Sequence, residues 1–238
     1  MEVTLAPGRP RGFPMMAFFR PWPLVLVLMA ASPAAFAQAC PPAGAFVPTR
    51  VVTFSTWMAE PIYSSAEGRA RITALSGLTR PDSKDFTTGL TRTSTNLELR
   101  VQGWQFDLGQ GRRCVGLARV EGVWKITEIK VDIAREYPPG GCQYRVIRTH
   151  EDEHVAISRD AFRHWTPQAE AVLRNAATQI PPRITTASAD AATAEFKDRL
   201  IAAMKPTFEA FANELKLRNA AIDTPGNYRR VNGQCPSW

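Results

Sequence analysis

Residues 148–155 read Arg148-Thr149-His150-Glu151-Asp152-Glu153-His154-Val155, which fits H-E-x-x-H. On an α-helix, side chains at i and i+4 stack on one face, so the imidazoles of His150 and His154 can reach one ion. Imidazole nitrogen suits zinc (Zn2+). Glu151, beside the pair, is placed to take a proton from water activated by such an ion. The chain has only three histidines, and two of them fall in this segment, which makes a chance match at this spacing rare.

The flanks of the motif predict the fold class. Upstream, the pattern is β. Residues 50–57 form a β-branched and aromatic run, 96–104 alternate with period two, and 114–120 and 123–126 flank Glu121-Gly122 as a hairpin turn. Ile129, Val131 and Ile133 alternate with polar residues as a half-exposed strand, which Pro138-Pro139-Gly140-Gly141 ends. Downstream, the pattern is α. One helical segment is expected from about Tyr144 to Arg163. Thr166-Pro167 reads as an N-cap with Pro at the first helical position, so a second segment or a kinked continuation runs to Gln179, and a loop follows to Ser188. From Asp190, Phe196, Leu200, Met204, Phe208, Phe211 and Leu215 recur at helical spacing, with a kink expected at Pro206. The expected architecture is α+β. A single domain over residues 38–238 would hold a mostly antiparallel sheet, then the motif helix, then a long C-terminal helix.

Composition narrows the class further. A chain of 238 residues with 45% apolar and 21% charged residues can build a core, which excludes wholesale disorder. The net charge of +7 comes from scattered Lys and Arg, with no dense basic block interleaved with aromatics, so no nucleic-acid partner is expected. Arg20, the apolar run from Pro23 to Ala31 and Ala35-Phe36-Ala37 read as an export signal over residues 1–37, cleaved before Gln38. Its apolar core is too short to span a bilayer, so no stable membrane insertion is expected after cleavage, and a secreted or periplasmic location follows. Removing 1–37 takes three Arg and one Glu from the total of +7 and leaves net +5.

Cys40, Cys114, Cys142 and Cys235 remain, an even number that suits two disulfides in an exported chain. Three pairings exist. The favoured one joins Cys40 to Cys114 and Cys142 to Cys235.

The run from Ala134 to Cys142, the segment Arg148 to Val155 and the tail Ile222 to Arg230 resemble a group of bacterial predicted secreted zinc-dependent proteases. These are small zincins with an uncharacterised domain. The likeness covers roughly residues 85–238. It implies a zincin-like metallopeptidase domain, a hydrolase acting on a peptide or protein substrate, with His150 and His154 as zinc ligands and Glu151 as general base.

A third ligand is still needed. No Gly and third His follow the motif at short spacing, and His164 lies about 15 Å of helical rise beyond His154, too far to share an ion. The ligand is therefore expected among downstream carboxylates. Glu214, bordering the apolar stripe, is the first candidate. Asp223, before Thr224-Pro225, is the second, and could instead cap the next turn. In zincins the substrate commonly pairs with an exposed sheet edge, for which strand 129–135 is the candidate here, and Tyr228 is a possible oxyanion donor. The alternative function is a non-catalytic exported binding protein whose zincin-like site is structural or inactive.

Overall fold

The chain order is β1 (Val51–Met58), β2 (Pro61–Ser64), α1 (Arg69–Leu75), β3 (Gly89–Gly109), β4 (Arg112–Ile133), α2 (Cys142–Thr178), β5 (Arg183–Thr185), α3 (Ala189–Ile222) and α4 (Pro225–Asn232). This is a computed structural model, and it describes residues 39–77 and 87–238. The expected export signal lies outside the described residues.

β4 is the axis of the sheet. β3 pairs with it antiparallel along nearly its whole length. Its other edge carries three short strands end to end: β5 at Arg113–Val115, β1 at Arg119–Ile126 and β2 at Ile129–Asp132. β1 and β2 lie parallel to β4, so the sheet is mixed rather than mostly antiparallel. The connections explain this. β3 and β4 share a tight hairpin and must run in opposite directions. β1 and β2 precede the α1 connection and continue one another along a single edge.

The hairpin lies at Gln110-Gly111, not at Glu121-Gly122. Gln110 has φ 53° and Gly111 φ 71°, the two positive values that a type I′ turn needs to match strand twist. Glu121 and Gly122 sit mid-strand, opposite Arg100 and Leu99 of β3. β4 also breaks its own alternation. The register against β3 skips Thr127 and Ala118, and each skip is a bulge. These bulges keep Ile133, Val131 and Ile129, then Ile126, Trp124 and Val120, then Leu117 and Val115 on one buried face. The slip at Thr127 separates the runs 123–126 and 129–133 in the sequence, and Glu121-Gly122, which resembles a turn, supplies the other apparent break, so one long strand reads as three short ones.

Strand 129–135 is not an edge. Residues 129–132 are paired on both sides, by β2 and by β3. Asp132 is buried there, ion-paired to Arg92 at 2.8 Å.

α2 and α3 cover the apolar face. Trp124 packs against Phe162 of α2 at 4.4 Å and against Phe208 and Phe211 of α3 at 5.1 Å each. Of the two readings at Pro167, continuation holds: α2 is one helix through it, with no second segment starting there. The Thr166 hydroxyl donates to Phe162 O at 2.8 Å inside the same helix instead of capping a new one. α3 likewise runs through Pro206, and starts from a Ser188 side chain that accepts from Ala191 N at 3.1 Å.

Both disulfides form with the favoured pairing, Cys40–Cys114 and Cys142–Cys235. The second ties the first residue of α2 to the tail behind α4. Among the described residues, no helix is long and apolar enough to cross a membrane.

At Gly122 the sheet packs closely against α2. A Cβ there would lie 2.8 Å from Leu173 and 2.8 Å from Phe54. Gly122→Val is therefore expected to lower unfolding free energy by about 1–3 kcal/mol through overpacking. Urea unfolding measures this. An unchanged midpoint would mean that the helix does not rest on this position.

Candidate metal centre

The helical period of α2 turns Ile147, His150, Glu151, Val155 and Ser158 inward. His150 and Glu151 are 7% and 3% exposed. Asp223 is the residue at which α3 ends. Thr224, not Asp223, caps α4, accepting from Asn227 N at 3.1 Å. The Asp223 carboxylate is thereby left to face α2.

Three ligand atoms converge. His150 Nε2 lies 3.0 Å and His154 Nε2 3.2 Å from Asp223 Oδ1, and the two nitrogens are 3.2 Å apart. Among the described residues these form a group able to hold a metal ion. Ligands at about 2.0–2.1 Å from a tetrahedral centre stand roughly 3.3–3.4 Å from one another. The observed separations are within a few tenths of that, so a small four-coordinate ion fits with little rearrangement. The donor set leaves its fourth position open.

Neighbours orient this group. Asn219 Oδ1 lies 2.9 Å from His154 Nδ1. A proton held on that nitrogen leaves Nε2 free as a ligand. The Tyr228 hydroxyl donates to Asp223 Oδ1 at 2.8 Å, and its ring lies 5.6 Å from that of His150. His150 Nδ1 is buried with no hydrogen-bond partner among the described residues. Glu151 is anchored from the sheet: Thr91 donates to its Oε2 at 2.8 Å. Gly89 makes room, since a Cβ there would lie 2.4 Å from Glu151 Oε1.

The charges follow this packing. Burial pushes the Glu151 carboxyl up, against the pull of His154, Thr91 and His150. Burial would lower His154, but its hydrogen bonds to Asp223 and Asn219 outweigh that and push it up to about 9. Burial would raise Asp223, but bonds to His150 and His154 hold it well below the usual carboxylate range. Burial and the adjacent Asp223 push the Tyr228 phenol up, so it remains a donor.

Glu214, the first candidate for third ligand, is not at the centre. It accepts from Trp165 Nε1 at 2.7 Å and from Arg218 at 3.1 Å. Asp223, the second candidate, takes the place. His164 is exposed, its ring 5.6 Å from Trp165. Sequence reasoning missed Gly89, Thr91 and Asn219. Asn219 carries a usable signal, lying one helical turn before Asp223 on the same face. Gly89 and Thr91 carry none, because they reach the site only through sheet packing. No family model, curated protein or solved structure matches the chain, so the functional argument rests on these residues.

In metal-free protein, His154 is expected to titrate near pH 9 by NMR. Its folded value lies above the unfolded value of about 6.5. Its contribution to stability is therefore full below that pH and is lost as pH rises through about 9. Asp223→Asn should bring the midpoint down. A wild-type midpoint near 6.5 would contradict the contact.

Proposed function

We propose that the protein is an exported zinc-dependent peptidase, with His150, His154 and Asp223 as ligands and Glu151 as general base. The observation that carries the reading is the convergence of two imidazole nitrogens and one carboxylate oxygen at near-tetrahedral separations, with a buried carboxylate on the same helix. When bound, zinc supplies Lewis acidity to a substrate carbonyl and lowers the pKa of water at its open position toward neutrality.

The chain's own residues do the rest. Glu151 accepts a proton from the attacking water at Oε1 and passes it to the leaving amine, while Thr91 fixes Oε2. Its burial disfavours the carboxylate, and positive charge at the neighbouring centre restores it. Asn219 holds the His154 ring, and Tyr228 holds Asp223. The outer edge of β3 has no strand partner among the described residues, which suits the addition of an extended peptide as a further strand near Thr91. β3 starts beside Glu151, whereas 129–135 is paired on both sides. Two disulfides and the N-terminal leader pattern support export.

The alternative, an exported binding protein with a structural site, draws on one observation: Glu151 is only 3% exposed. Variants separate the two readings. Wild type is expected to hold about one zinc per chain, as three protein ligands require. Elemental analysis should show His150→Ala, His154→Ala and Asp223→Ala losing it and Glu214→Ala keeping it. Glu151→Gln should keep zinc while hydrolysis of a mixed-peptide library falls at least about a hundredfold. Zinc retained by Asp223→Ala would remove Asp223 from the ligand set. Equal hydrolysis by Glu151→Gln would remove the general base, and zinc-loaded wild type with no hydrolysis would favour the binding protein.

A further inference from the structure

A cavity of about 410 Å³ opens between β3 and α3, lined chiefly by Thr93, Leu97, Trp124, Phe208, Phe211 and Leu215. No charged side chain lines it. Its floor is core: Trp124 is 1% and Phe211 4% exposed. Its rim, at Thr95 and Ala212, is open to solvent. A solvent-accessible, mostly apolar hollow of this size is of the kind that takes a ligand; Thr95 and Asn96 add polar groups to its lining, but a charged group entering it would lose hydration and meet no opposite charge.

Both walls lead from the candidate metal centre. Asn219 touches His154, and Leu215 lies one turn before it on α3, about 6 Å along the axis. Thr91 touches Glu151, and Thr93 is the next residue on the same face of β3, about 7 Å along the strand. An extended peptide advances roughly 3.3 Å per residue. A residue two or three positions from the bond at the centre therefore falls over the cavity. A second cavity of about 390 Å³ shares Leu97 and continues the groove past Leu99 toward Ile201.

We infer that this cavity is a specificity subsite: it selects peptides carrying a bulky apolar side chain two or three residues to one side of the scissile bond, and it rejects charged ones there. The inference rests on the peptidase reading for its orientation.

The test uses zinc-loaded Glu151→Gln protein, which holds peptide without turning it over. The probes are capped alanine hexapeptides, each carrying one Leu or one Asp at a single position. Binding is followed by NMR at the methyl groups of Leu97 and Leu215. One or two adjacent Leu placements should bind at least about tenfold tighter than the all-alanine peptide, the low end for burying such a side chain. The same placements should shift both methyls, and the Asp peptides should do neither. Ala212→Trp, on the exposed rim, should abolish the tenfold gain while zinc content stays unchanged. Leu215→Asp is a second variant with the same expectation. Silent methyls, or equal affinity for Leu and Asp peptides, would overturn the subsite. Library cleavage by wild type alongside silent methyls overturns the subsite alone. Peptides seated in the cavity of a protein that never cleaves support the subsite and overturn the peptidase.

Discussion

One carboxylate oxygen, Asp223 Oδ1, accepts from the Tyr228 hydroxyl and lies within 3.2 Å of ring nitrogens on His150 and His154. Bringing it there joins residues 73 positions apart in the chain. α2 and α3 must therefore be long, continuous and antiparallel, each running through a proline that local preference would make a break. The cost of those prolines is offset by tertiary packing on Trp124, Phe162 and Phe211. The Cys142–Cys235 disulfide then fixes the tail behind α4, and with it Tyr228, near the start of α2.

The sheet supplies the other half of the centre. β3 comes close enough to α2 for Thr91 to hold Glu151 because residue 89 has no side chain. The bulges at Thr127 and Ala118 keep the long hairpin's apolar residues facing the helices over its full length. Without them, a strict alternation would turn half of that face to solvent. Fold and site thus share one requirement, a continuous apolar face with two helices laid across it.

The parts of this arrangement that were legible in the sequence are the local ones. His150, Glu151 and His154 are set by spacing on a single helix, and the α+β order follows from the change of hydrophobic period. The type I′ turn was missed because its positive φ values fall on Gln110 and Gly111, while Glu121-Gly122 offered a similar signal inside a strand. The third ligand depends on how two helices align, and here a simple reversal misleads. From His150 to the end of α2 is about 42 Å of rise, and from the start of α3 to Asp223 about 51 Å. α3 therefore begins about 9 Å beyond the end of α2, close to the length of the three β5 residues that first pair with β4. That excursion moves the level of the histidines from residues near Glu214 to Asn219 and Asp223.

The central claim is that Asp223 completes a three-residue ligand set with His150 and His154. Anomalous diffraction at the zinc edge from crystals of zinc-loaded protein tests it directly. The account predicts one strong peak about 2.0–2.2 Å from His150 Nε2, His154 Nε2 and an Asp223 carboxylate oxygen. A peak bound by the two histidines with Asp223 turned away, or a peak at Glu214, would contradict it.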